Sequence, residues 1–459
     1  MKSHCTQLLR SLLLVFSVAQ CSIVIAAPSY LLKANLPPGS TSHVTVKVEV
    51  GGDRLMPTEQ EIKKVPLKVV GNFDFREQIV AWSSDAKTVA RSIRQYKAAT
   101  AKYELEGETT ERTLPEDRRL LLSEIRDGLS NITGAEAKLT REQFDFVNEV
   151  ANPLAIDRLL PGREMVEGET WTHDEATLGP LLGMDHVAVC DVSSVVTSES
   201  ERQVQIRLAG TVHGTIDVTP TEYELRAAYL FHLDHKRITR FNLAIKEVRK
   251  QSDLNPGLDV VAKAFVAIDP EKKQLEIPAK VLTVAKQIGT PLSRTLVYES
   301  ATKNFRFEYD AAWYIRGEER GLLSLRYLRD HEVAAHCTVT VLAARSAGRH
   351  TPLDEFERDV RQTLTDKLDS ISAATEWETP RGNHCLGVIA DGKVNDLPIQ
   401  WRNYLVSADD CPRLSLSVTL ERNRSETFAD AERQIIDSVE LIPTPPAATA
   451  NAATGELSR

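Results

Sequence analysis

Three common signatures of chemistry are missing from this chain. It has no Gly-rich phosphate loop, no G-x-S-x-G nucleophile elbow and no C-x-x-C pair. The simplest sequence arguments for nucleotide binding, serine hydrolysis and dithiol redox work go with them. A confident membrane span is missing too: the uncharged stretch at 11–25 is short, and Ser17, Gln20 and Ser22 interrupt it. There is no excess of basic charge either. A formal charge of −9 gives no overall footprint for nucleic acid and argues against general adhesion to anionic lipid. Cysteine is scarce, with six residues of which Cys5 and Cys21 fall in the first 26.

What is present begins with those 26 residues. Met1-Lys2 and Arg10 are positive, an apolar stretch follows, and the small pair Ala26-Ala27 ends it. That order is the layout of a secretory signal peptide. Cleavage is expected after Ala26, with Val24 at the minus-three position; cutting after Ala27 would put Pro28 first. Retention as an N-terminal anchor is the alternative, and membrane association is expected only in that case. Val18-Ala19-Gln20-Cys21 is not a lipoprotein box, because a bulky Gln precedes the cysteine. Losing Lys2 and Arg10, and no acid, moves the charge from −9 to −11.

At about 150 residues per domain, the mature length predicts two domains or three. Val44, Val46, Val48 and Val50 share one face of a strand, with Thr45, Lys47 and Glu49 on the other. Near Phe144, Val147, Ala151 and Leu154 the period becomes helical, behind a Thr140–Gln143 capping box, and Pro153 reads as a stop or kink. From Gly168 to Ala267 the pattern is strand again. The segment 269–295 carries Pro270, Pro278 and Pro291 and reads as a linker with a short helix. Beyond it come strand faces Phe305-Phe307-Tyr309, Leu323-Leu325-Tyr327 and Cys337-Val339-Val341. A helix stripe follows, Leu353, Phe356, Val360, Leu364, Leu368 and Ile371. Three more strands and a final helix with Phe428, Ala431, Ile435 and Val439 complete it. The expected division is a signal peptide at 1–26, a half-barrel-like β domain at 27–268, a linker at 269–295, a second domain at 296–442 and a disordered tail at 443–459.

That second segment carries Phe305-Arg306-Phe307-Glu308-Tyr309 before Trp313, Trp401 through Tyr404-Leu405-Val406, and Ile435-Ile436-Asp437-Ser438-Val439. In this order of elements they resemble the PsbP-like α/β/α sandwich. The resemblance implies an antiparallel sheet between helical layers, used for docking to partners. The first domain resembles the half-barrels of LolA and LolB envelope carriers. Arg158-Leu159-Leu160-Pro161 with Val166 to Trp171 resembles a turn-then-strand signature of exported bacterial proteins, planctomycete ones among them. Together these imply an α+β fold of two domains, a curved antiparallel sheet over a helix and then the sandwich.

Candidate sites are few. In Asp330-His331-Glu332-Val333-Ala334-Ala335-His336 the second His comes five residues after the first, off the helix face a zincin needs. His336-Cys337 and His384-Cys385 are weak metal candidates, since adjacent strand residues point to opposite faces and each pair offers one ligand. In an oxidising envelope Cys337, Cys385 and Cys411 are disulfide candidates, with buried free thiols as the alternative. No cofactor and no nucleic acid are expected. The expected function is that of an exported, non-enzymatic binding module of the cell envelope with a protein partner, and a lipid or other apolar ligand in the first domain. The alternatives are an exported hydrolase or metal-dependent enzyme, and a purely structural adaptor.

Overall fold

In the computed structural model, residues 28–443 are described, apart from 58–60, 149–150, 201, 252–255, 303, 320, 330–331 and 346–347. The expected leader at 1–26, His331 and the tail lie outside them. The chain first forms β1 (Tyr30–Leu31), β2 (Thr41–Pro57), β3 (Ile62–Ala81), β4 (Ala90–Leu105), β5 (Glu108–Thr113), β6 (Leu120–Arg126) and β7 (Leu129–Gly134). Helices α1 (Arg141–Val147) and α2 (Pro153–Ile156) follow, then β8 (Glu164–Met165), β9 (Thr170–Thr172) and α3 (Glu175–Leu182). Long strands resume as β10 (His186–Glu199), β11 (Gln203–Ile216), β12 (Thr219–His232), β13 (Arg237–Arg249) and β14 (Gly257–Glu271).

β1 pairs with β8, and the rest form one twelve-stranded sheet in the order β7-β6-β4-β3-β2-β14-β13-β12-β11-β10-β9, with β5 also on β4. Every pairing is antiparallel, which suits strands with one dry and one wet face. The alternation holds through β12, where Tyr223, Leu225, Ala227, Tyr229 and Phe231 are buried and the residues between them are not. Two-residue reversals join the β4–β5, β6–β7 and β11–β12 hairpins. Asp217-Val218 between β11 and β12 has φ of 48° and 58°, the type I′ geometry that fits strand twist.

Helices α1 to α3 lie across the dry face. Thr140 caps α1 and Gln143 returns the bond, the capping box read from sequence. Pro153 is the first residue of α2 rather than a stop, because its missing N–H costs nothing there. Helix α3 interrupts what reads as strand text: Asp174 accepts from the Thr177 N–H, and Gly183 ends the helix in the left-handed conformation. Buried ion pairs tie the layers together. Asp157, beside α2, accepts from Arg237 at 3.1 Å and from the Ile238 N–H at 2.7 Å. Arg94 bonds Glu77 at 2.8 Å and Asn152 at 2.6 Å.

The segment 269–295 contains α4 (Ala279–Lys286) and is fastened to the sheet. Fully buried Arg91 donates to the carbonyls of Ala285, Gln287 and Thr290, while bonding Glu124 through Nε at 2.9 Å. Glu124 also accepts from the Leu292 N–H at 3.2 Å.

Beyond it come β15 (Thr295–Glu299), β16 (Phe305–Asp310), β17 (Trp313–Glu319), β18 (Leu322–Arg329), β19 (Glu332–Leu342) and α5 (Leu353–Leu364). Then follow β20 (Leu368–Glu378), β21 (His384–Val394), β22 (Leu397–Ser407), β23 (Arg413–Glu421), α6 (Ser425–Phe428), α7 (Arg433–Ser438) and β24 (Glu440–Leu441). They make a three-stranded sheet, β15-β16-β24, and a seven-stranded one, β17-β18-β19-β23-β22-β21-β20.

The expected α+β class is therefore wrong. The described residues are 57% strand and 15% helix, in several antiparallel sheets of which none closes among them, and the helices are local patches rather than layers. Two helix readings end earlier than the sequence stripe. Leu368 and Ile371 continue the α5 stripe in sequence, but Thr365 takes φ 47° and the chain turns into β20. The final helix breaks at Ala429, φ 51°, into α6 and α7. At Leu368 and Ile371 pairing with β21 outcompetes the helical stripe.

Candidate ligand trough

Alternation in β23 sends Leu414, Leu416, Val418 and Leu420 into the core and leaves Ser415, Ser417 and Thr419 on the other face. On that face α5 covers only one half of the sheet. Phe356, Val360 and Leu364 pack on Leu386, Val388, Ala390, Ile399, Trp401 and Leu405, all from β21 and β22. The uncovered half leaves an opening of about 570 Å³, walled by the side of α5 and floored by Asn403, Ser415, Ser417 and Thr419.

Its polar groups are incompletely satisfied. The Ser417 hydroxyl donates to Asn403 Oδ1 at 2.8 Å, while Asn403 Nδ2 is buried with no partner. Three basic side chains, Arg345, Lys367 and Arg413, line the opening against one acid, Asp359. Arg345 is bonded to Glu355 at 2.6 Å. Arg413 donates to the Ala343 carbonyl at 2.9 Å and the Thr351 hydroxyl at 3.2 Å, both neutral groups. Burial, and then the nearby Arg345 charge, lower the Arg413 pKa.

Beyond Arg413 on the same face lies a second cluster. Ser407 pairs in register with His384, and the His384 ring stacks on His350 with centroids 4.4 Å apart. His384 Nε2 lies 2.8 Å from Glu376 Oε1, and ionised Glu376 can only accept, so that nitrogen carries the proton. His384 Nδ1 then accepts from the Ser407 hydroxyl at 3.5 Å, and His350 Nδ1 donates to Ser407 Oγ at 3.1 Å. Carboxylate, imidazole and hydroxyl stand in the order of a nucleophilic triad. Ser407, however, is 4% exposed and already both accepts and donates, so a carbonyl carbon has no approach to its oxygen. The cluster anchors the segment entering α5.

The sequence candidates sort by face. His336 lies opposite Thr419 and His384 opposite Ser407, on the trough side, while Cys337 and Cys385 are buried on the other. The stretch from Glu332 is strand, not a zincin helix. β23 and β22 separate β19 from β21, so Cys337 and Cys385 stand three strand spacings apart, roughly 14 Å. A disulfide spans about 7 Å between Cα atoms at most, so these two cannot pair. Cys190, Cys337, Cys385 and Cys411 are all free thiols in this structure. Burial pushes Cys385 up to about 12, and it raises Cys337 as well. Among the described residues no three His, Cys, Asp or Glu side chains gather where they could hold a metal.

A larger groove of about 760 Å³ runs where the twelve-stranded sheet meets the later strands. Arg141 of α1 crosses it, donating to the carbonyls of Ala311 and Trp313 and lying 4.2 Å from the Tyr314 ring centroid. Tyr314 in turn donates to Asp217 at 2.5 Å. Desolvation raises Asp145 to about 6, against the pull of Arg141. Beneath α2 on the dry face the remaining cavity is about 20 Å³, room for a water and not for a lipid.

Sequence reasoning did not single out Asn403 or Arg413. The available signal was a run of hydroxyls, Ser415, Ser417 and Thr419, alternating with core leucines and valine.

No family model and no curated protein matches this chain. Among solved structures it is similar to cyanobacterial PsbP from Synechocystis sp. PCC 6803, at 12% identity and TM-score 0.25 over 33% of this chain and 95% of that one. It is similar to the Pseudomonas aeruginosa protein PA94 at 13% identity and TM-score 0.23, over 33% of this chain and 99% of that one. A lipovitellin structure matches at 11% identity and TM-score 0.29 over 53% of this chain but only 26% of that one. These are partial likenesses to PsbP-like and related folds, and they place the chain in no family.

Proposed function

We propose that this chain is an exported binding module of the cell envelope, without a catalytic role, that takes its ligand in the trough beside α5. The leader supports export. The observation that carries the binding role is the opening of about 570 Å³ beside α5, with the Asn403 amide nitrogen in its floor lacking the hydrogen-bond partner that the amide oxygen has in Ser417. A buried donor left unpaired costs roughly 1–3 kcal/mol, so a site that supplies it an acceptor recovers that energy on binding. The triad-like cluster supports anchoring better than hydrolysis, because Ser407 is enclosed.

The test is native mass spectrometry of the full chain purified from its source. A stoichiometric small molecule, released on activation and absent when Asn403→Leu fills the site, is the expected result. A bare polypeptide, or one carrying an equivalent of metal instead, overturns the proposal.

A further inference from the structure

We infer that the wet face of the twelve-stranded sheet carries a second site, a trench for a short neutral oligosaccharide that stacks on Phe265 and hydrogen-bonds to Asn72 and Asn242. It belongs to a different sheet from the trough and does not depend on it. Pairing register gathers the groups. Across β4, β3, β2, β14 and β13, the residues Thr100, Asn72, Lys47, Phe265 and Asn242 stand opposite one another in a single row. Beside it runs a second row of Ala98, Asp74, Thr45, Ala267 and Arg240. Phe73, Val46, Val266 and Phe241 alternate with them into the core, so both rows face away from it. Short side chains at Ala98, Thr45 and Ala267 leave an opening of about 420 Å³, and both rows line it. Five strands at the usual spacing make it roughly 19 Å long.

Three features select the ligand. Phe265 is 41% exposed in the first row, with Asn242 opposite on one side and Lys47 on the other. The negative face of an aromatic ring accepts the C–H face of a pyranose. Asn72 and Asn242 are exposed, and neither bonds another described residue. Each amide both donates and accepts, as neighbouring sugar hydroxyls do. The ions, by contrast, are already engaged. Lys47 meets Glu49 at 2.5 Å, Arg240 meets Asp269 at 2.8 Å, and Asp74 meets His43 at 2.7 Å. A charged ligand therefore finds no free counter-ion. An apolar chain would cover both amides without pairing them. A peptide strand would find no backbone partner, since β2 and β14 are paired on both sides.

The experiment is calorimetric titration of the full chain with maltotriose, cellotriose, mannotriose and triacetylchitotriose. Saturable one-to-one binding of at least one is expected, with the same affinity in about 0.1 and about 0.5 M NaCl, because no ion pair forms. Phe265→Ala should weaken it about tenfold or more, and Asn242→Ala about threefold or more. Should the alanine variant at Phe265 misfold, Phe265→Leu keeps the apolar bulk and removes the ring. Val261, 45% exposed, lies on the same strand and face, roughly 13 Å from Phe265 and outside the trench. Val261→Ala should bind as the wild type does. Failure of all four sugars, binding that ignores Phe265 and Asn242, or an equal loss in Val261→Ala overturns the inference.

Discussion

At Asp145 the surroundings work against ionisation. Desolvation raises its pKa from 3.8 to about 6, although Arg141 lies 3.5 Å away. Between those two values the folded chain keeps a proton that the unfolded chain has shed, so stability falls as pH rises through that window. Asp145→Asn imitates the protonated acid. It should be more stable than the wild type at pH 7 and equal to it near pH 4. The full shift would be worth about 3 kcal/mol. With 57% of the side chain exposed, solvent screening reduces the expected gain to roughly 1 kcal/mol. Urea unfolding at the two pH values measures it, and a variant less stable at pH 7 would sink the argument. Residue identity alone showed that Asp145 could titrate; it could not show that α1 would set it in the lining of the groove beside Arg141. The same holds for His336-Cys337 and His384-Cys385. Alternation did separate each His from its Cys, and the strands keep that separation.

Among the elements, the β11–β12 hairpin carries a local strain. Val218 sits at φ 58°, where a β-branched side chain is crowded by its own backbone. Val218→Gly should raise stability by about 1 kcal/mol, with a larger entropy loss on folding offsetting part of the gain. Denaturant midpoints at constant slope would establish it, and a fall in the midpoint would mean that Val218 contributes packing the turn needs. Elements defined by local bonds were legible: the Thr140–Gln143 box and the alternation of β11 to β13 appear as read. Elements decided by distant neighbours were not. Leu368 and Ile371 satisfy a helical stripe in sequence, yet β21 was available to pair with them, and the stripe ends at Leu364.

Over the whole molecule, the staple at Arg91 matters more than any surface pair. It joins β4 and β6 to the segment leading into the later strands, and a single hydrophobic cluster runs from Leu32 to Val439. One cooperative calorimetric transition is expected for the full chain. Arg91→Met removes one of the two cations on buried Glu124, with Arg126 remaining at 3.2 Å, and should cost about 1–3 kcal/mol. Because it also frees the carbonyls of Ala285, Gln287 and Thr290, the transition should split into two. A variant that still melts in one step would show that the shared core, not the staple, couples the two parts.

The sequence by itself determined the period of each strand, the cap of α1 and the leader-like order of its first residues, because these depend on neighbours within a few positions. Only the tertiary structure decided that helices would be patches on large sheets, that Cys337 and Cys385 would stand three strands apart, and that Asn403 would face Ser417 beside an uncovered half of the sheet. Period fixes which residues share a face. Register and the placement of α5 fix what that face meets, and both are set by contacts between residues far apart in the chain.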